Sequence, residues 1–181
     1  KVRFSYTFKV DKPSELIKLL LYKSRLLNYI SILDSNNMNN QTSLPADYIN
    51  YDLIAGVDAL EVLNVDIDSF NALQNFHDKH SDWLFGYLSY DLKNEVEQLT
   101  SNNDDGINAD SLSFFIPKYV LLLKGNTLEV QSYESKEDCQ QFLAYEQFNW
   151  KDKSNPVELK QRDTKAKYLE KLYKIFGDWD L

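Results

Sequence analysis

The sequence is short of the residues that mark several protein classes. Cys139 is the single cysteine among 181 residues. An internal disulfide framework is therefore impossible, and the composition suits a reducing, cytoplasmic setting. Lys and Arg number 20 against 28 Asp and Glu, for a net charge of -8. No run of basic residues builds the patch that a phosphate backbone requires, so nucleic acid is not an expected partner. The longest apolar run lies near Leu19–Tyr22, far below the ~20 residues of a membrane span. No membrane is expected, and the alternating opening Lys1–Val10 does not read as a signal peptide. The 5 glycines are scattered singly. That excludes a glycine-rich phosphate loop and a G-x-S-x-G nucleophile elbow.

Hydrophobic side chains are plentiful. They make up 43% of the chain, with 10 Phe, 12 Tyr and 3 Trp, enough for a sizeable core. Val2, Phe4, Tyr6, Phe8 and Val10 alternate with polar residues, the pattern of a half-buried strand. Asp11 offers a helix cap and Pro13 suits a first turn, so Pro13–Leu27 reads as an amphipathic helix with Lys23 as the polar exception on its apolar stripe. Tyr29–Leu33 reads as a strand and Asn36–Ala46 as a polar loop. Tyr51–Val57 and Ala59–Val65 read as two strands around a turn at Gly56 and Asp58. Ser69–His80 reads as a helix with Phe70, Leu73, Phe76 and His77 on one face.

Trp83–Leu92 is the most strand-like stretch. Its apolar residues point both ways, which predicts a central strand covered on both faces, with Trp83, Phe85 and Leu88 buried. Gly86 within it predicts a bulge or a close backbone approach. A helix over Lys93–Leu99 and a loop over Thr100–Asp110 follow. Phe114–Leu123 and Thr127–Tyr133 read as a hairpin turning at Lys124-Gly125-Asn126. Ser135 with Asp138 resembles a capping box that opens a helix to about Phe148. Lys151–Gln161 reads as a linker and Thr164–Ile175 as a last helix. The predicted class is α+β: largely antiparallel sheet with flanking helices.

Candidate chemistry is sparse. His77 and His80 sit three apart but have only Asp78 or Asp82 nearby, short of a zinc ligand set, and read as surface histidines. Cys139 has no base in its motif and reads as structural. Asp91, Glu95 and Glu97 read as acids near a helix N-terminus rather than an acid–base pair. No catalytic residue and no metal site is expected within this chain. A cryptic hydrolase using Asp91, Glu95 or His77 is a minor alternative.

Several segments, in order, resemble the N-terminal region of component I of the aminodeoxychorismate (para-aminobenzoate) and anthranilate synthases. Trp83-Leu-Phe-Gly-Tyr-Leu-Ser-Tyr-Asp-Leu92 is similar to the family's G-Y-(I/L)-(G/S)-Y-(D/E) strand. Ile32-Leu33-Asp34-Ser35 resembles a Leu-Leu-Glu-Ser segment, with Asp34 departing from the family Glu. Asp110–Pro117 resembles a stretch that ends near a proline before a long strand. Tyr168-Leu-Glu-Lys-Leu is similar to the helix that opens the chorismate-binding domain.

The resemblance implies a domain plan of three parts: a scaffold over 1–150, a linker over 151–162, and the first helix of a truncated or missing chorismate-binding domain over 163–181. It implies a fold belonging to the component I chorismate-utilising enzyme sandwich. The full-length enzyme would aminate chorismate to 4-amino-4-deoxychorismate for folate synthesis, or to anthranilate for tryptophan synthesis. It would use Mg²⁺ outside this fragment and ammonia from a glutamine amidotransferase subunit (component II). The fragment alone is expected to be inactive and to bind no cofactor. Ile32, Leu33, Asp34 and Ser35 would line a tryptophan-type pocket, in which Asp34 would meet an α-ammonium. From the residues alone, Asp34-Ser35 equally reads as the start of a loop. A free-standing amino-acid-binding or interaction module is the alternative from a different class.

Overall fold

A computed structural model describes residues 2–36, 51–97, 107–144 and 164–176, with the side chains of 171–176 left aside. The chain divides into two compact units, Lys1–Tyr145 and Glu146–Leu181. In the first, six strands form one sheet: β1 (Phe4–Lys9), β2 (Ile30–Asp34), β3 (Leu53–Val65), β4 (Phe85–Leu88), β5 (Leu112–Lys124) and β6 (Thr127–Ser132). The helices between and after them are α1 (Pro13–Lys23), α2 (Ser69–His80), α3 (Lys93–Glu97) and α4 (Lys136–Leu143). All pairings are antiparallel, in the order β1-β6-β5-β3-β2, with β4 also paired to β5. The architecture is α+β. The second unit contains α5 (Lys165–Phe176), close to its expected bounds. The fourth helix stops at Leu143 rather than near Phe148, with Ala144 at ψ 124 leaving the helical backbone. The expected linker 151–161, the loop core at 37–46 and most of the 100–110 loop lie outside the described residues.

β5 is the spine. β3 runs along its whole length on one side. On the other side, β6 pairs with Tyr119–Lys124 and β4 with Leu112–Phe115, so β6 and β4 lie end to end. Pro117 occupies the gap between them. Proline has no N–H and is poorly tolerated in an interior strand. Its carbonyl points into the gap, towards Arg3, so the missing N–H faces the place where no strand needs it.

Register fixes the two sheet faces. Tyr119, Leu121 and Leu123 share a face with Leu128, Val130 and Ser132 across one pairing, and with Leu53, Ala55 and Val57 across the other. α1 and α4 cover this face. Leu16, Leu19, Leu20 and Cys139 are buried there, and Tyr119 stacks on Phe142 at 4.2 Å between centroids. Lys23, the polar exception on α1, places its ammonium 4.5 Å from the Phe142 ring centre, a cation–π contact that lets a lysine sit on an apolar stripe. On the opposite face Val120 and Leu122 pack with Phe85 and Phe115, flanked by Tyr29, Tyr51 and Ile54. This face is roofed by aromatic rings.

Several sequence expectations are corrected. The helix α1 stops at Lys23 rather than Leu27, and its N-cap is Lys12, not Asp11. Pro13 at the first turn forces the preceding residue into extended backbone, so Lys12 takes the cap position. Tyr51–Val57 and Ala59–Val65 are one strand, not two. Asp58 has φ 60 and the register slips between Ala59 and Glu61, an in-strand bulge that carries turn-type residues without turning the chain back. Gly56 is required there because an added Cβ would lie 2.5 Å from the Phe85 ring. In α2 the buried residues are Ser69 and Phe76, while Phe70 and His77 are exposed.

The central-strand expectation for Trp83–Leu92 is overturned. Only Phe85–Leu88 is strand, among the described residues it pairs with β5 alone, and of Trp83, Phe85 and Leu88 only Phe85 is buried. Tyr90–Leu92 turns into a 3-10 helix instead of extending the strand. Gly86 does make the close approach: a Cβ there would overlap the Ser113 carbonyl oxygen and lie 2.6 Å from Phe114 Cα. The hairpin stands as expected, with Gly125 at φ 56 starting a two-residue loop. So does the α4 cap, where Ser135 Oγ accepts from the Asp138 N–H at 3.1 Å and donates to its carboxylate at 2.6 Å.

Candidate functional site

The segment expected to line a ligand pocket lies on the edge strand β2. Ile32 pairs with Ala55, Leu33 with Ile54 and Asp34 with Leu53. Successive strand residues point to opposite faces, so Ile32 and Asp34 share the helix-covered face and Leu33 takes the other. Leu33 and Asp34 are exposed. Asp34 Oδ1 accepts the Asn36 N–H at 2.9 Å, and Asn36 takes φ 51. This is the local Asx geometry of a chain leaving a strand. The Ser35 N–H donates to the Asp52 carbonyl at 2.9 Å, prolonging the β2–β3 ladder. The four residues are consecutive but do not converge on one cavity.

A built polar cluster exists elsewhere, at the seam between β4 and β6. Arg3 precedes β1 and Asp82 precedes β4. Arg3 Nε donates to Asp82 Oδ1 at 2.7 Å and Nη2 to Oδ2 at 2.8 Å, a two-pronged pair whose side chains are 7% and 9% exposed. Nη2 also donates to the Pro117 carbonyl at 2.6 Å, and Nη1 to the carbonyls of Lys118 and Gln131, both at 3.4 Å. The Tyr133 hydroxyl donates to Asp82 Oδ2 at 2.8 Å, and the Trp83 N–H to Oδ1 at 2.8 Å. The Trp83 indole N–H donates to Gln131 Oε1 at 2.9 Å. The Arg3 guanidinium also lies 4.7 Å from the centre of the Tyr133 ring.

Burial pushes the Asp82 carboxyl pKa up. The hydrogen bonds from Arg3, Tyr133 and the Trp83 N–H outweigh that and hold it below its ordinary value. The Tyr133 hydroxyl is raised, by burial first and then by the bond it gives to Asp82. A cleft of about 720 Å³ opens beside this cluster, with Val2, Ser5 and His77 on its walls. All five N–H donors of Arg3 are engaged within the protein, as are both oxygens of Asp82. The cluster is therefore a structural clasp, with its polar capacity spent on holding β1, β4, β5 and β6 together.

The remaining candidates are dispersed. His77 is exposed, 3.3 Å from Asp78. His80 lies 3.2 Å from Glu61 and packs on Phe76. Among the described residues no group of three His, Cys, Asp or Glu is placed to hold a metal ion. Cys139 is fully buried, and burial pushes its thiol pKa up, the opposite of an activated thiolate. Glu95 caps a helix, but a distant one: it accepts from the Ser69 N–H at 3.0 Å and from Ser69 Oγ at 2.6 Å at the start of α2. Asp91 pairs with Lys93 at 3.2 Å. No helix among the described residues is long and apolar enough to cross a membrane. No family model, curated protein or solved structure matches this chain.

Proposed function

We propose that this chain is the N-terminal, non-catalytic part of component I of an aminodeoxychorismate synthase, within a chorismate-utilising enzyme sandwich. The full-length form replaces the ring hydroxyl of chorismate with ammonia, giving 4-amino-4-deoxychorismate and water. A glutamine amidotransferase subunit supplies the ammonia, and Mg²⁺ in the remainder of the enzyme holds the substrate through oxygen ligands. One observation carries the reading beyond the sequence resemblance. Two of the segments that resemble the family, Trp83–Leu92 and Asp110–Pro117, are hydrogen-bonded neighbours, paired from Phe85↔Phe115 to Leu88↔Leu112. Segments that are separate in sequence and resemble one family region are thus adjacent in the sheet. Aminodeoxychorismate is preferred over anthranilate because Asp34 departs from the family glutamate, and its carboxylate binds its own loop.

The test is an assay on the complete product of the gene that carries this sequence, supplied with chorismate, ammonium and Mg²⁺. Formation of 4-amino-4-deoxychorismate is expected. Anthranilate would reassign the product within the family. Neither product, from a folded protein, would sink the reading and favour a free-standing interaction module.

A further inference from the structure

We propose that the groove between α1 and α4 is a binding site for a single-chain carboxylate: an unbranched apolar chain that ends in one anionic head. The sheet supplies the floor. Phe8 of β1 pairs with Leu128 of β6, so the two share the helix-covered face. Leu16 and Leu19 of α1 line one side, and Gln140 and Leu143 at the end of α4 line the other. α4 has only 8 residues, and a groove of about 630 Å³ remains over this floor. The whole of it lies within the unit Lys1–Tyr145.

The depth of the groove is apolar and its mouth is charged. Leu16, Leu19 and Leu128 are buried, and Phe8, Val10 and Leu143 are half-buried. An ordered water there would need at least two polar partners, and these side chains supply none. An apolar chain needs no such partner, and it takes Phe8, Val10 and Leu143 out of water. The volume falls within the roughly 300–1,000 Å³ of small-molecule sites, where an apolar lining binds and a few polar groups orient the ligand. Here the orienting groups are Lys9, Asp11, Lys12 and Glu15.

The balance of those four charges selects the head group. Glu15 accepts from Lys18 Nζ at 2.8 Å, so its charge is already matched. Among the described residues Lys9 and Lys12, both exposed, stand in no ion pair. Against Asp11 they leave the mouth with an excess positive charge. The chain as a whole is the reverse, with 28 acids against 20 bases. A carboxylate carries the single negative charge that this excess matches, while a cationic head is repelled.

Calorimetric titration of the 181-residue chain with decanoate is expected to show one site per chain, with a Kd at or below about 100 μM. Decan-1-ol, equal in length but uncharged, is expected to bind at least about fivefold more weakly, and decyltrimethylammonium more weakly still. In NMR spectra the methyl signals of Leu16, Leu128 and Leu143 should shift as decanoate saturates. Those of Leu112, buried at the far end of β5, should stay in place. Lys9→Glu combined with Lys12→Glu, both at exposed positions, should erase the advantage of the carboxylate over the alcohol. Ala144→Trp, at the exposed rim, should block both probes. No saturable binding up to roughly 1 mM, an alcohol that binds as tightly as the carboxylate, an advantage that survives the double reversal, or shifts centred away from the groove overturns the proposal.

Discussion

β6 and β4 lie end to end along one side of β5, and their surroundings are opposite. β6, Thr-Leu-Glu-Val-Gln-Ser, alternates like a strand with one wet face. It is nonetheless an interior strand, held between β5 and β1, and Leu128, Val130 and Ser132 are fully buried under α1 and α4. β4 lies in one of the most apolar stretches of the chain and is an edge strand with a single buried residue. Position in the sheet, not side-chain hydrophobicity, decides which strand is central. β6 is fixed by a tight hairpin to the spine, and β1 then closes its other side. β4 reaches the spine from a distant part of the chain, and nothing described lies beyond it.

The strongest way to break this comparison is to open the clasp between the two strands. Asp82→Ala leaves the Arg3 guanidinium buried against carbonyls without its counter-ion. The expected loss is about 3 kcal/mol, the lower end for a broken buried pair, because a cleft adjoins the site. Urea denaturation measures it, and a loss below about 1 kcal/mol would mean that the two halves hold together without the clasp. pH gives a second readout. The folded-state pKa of Asp82 lies below its unfolded value, so its stabilisation is fully present above about pH 4 and is lost as pH falls through the folded value. The stability gap between the unmodified chain and Asp82→Asn should be widest near neutrality and close in acid.

Truncation on the interior side comes next. Leu128→Ala removes a fully buried side chain that packs on Leu123 and Phe8 across the ladders. It should cost about 3 kcal/mol in the same denaturation experiment. A cost near that of an exposed residue would place β6 at the rim and remove the contrast with β4.

What could be read in advance was local. Pro13, the Ser135–Asp138 pair and Gly125 act within a few residues of themselves, and each fixes the end of a helix or the turn of a hairpin where the sequence placed it. Gly56 and Asp58 carry equally local signals but were misleading. Their composition is that of a turn, while their cause is non-local: the ring of Phe85 lies over Gly56, and a register slip follows Asp58. The Arg3–Asp82 clasp was illegible because its partners are 79 residues apart and share no spacing motif. Ile32–Ser35 stands out by likeness alone, and strand alternation sends the side chains of Ile32 and Asp34 to one face and that of Leu33 to the other.

The smallest expected effect is the most discriminating for β4. Leu88→Ala truncates a large apolar residue in the stretch whose pattern predicts a core strand. Its side chain is more than half exposed, so little apolar area leaves water when the single chain folds. The stability should change by less than about 0.5 kcal/mol. A cost of about 2 kcal/mol or more would mean that Leu88 is covered. The contrast between the two strands would then vanish.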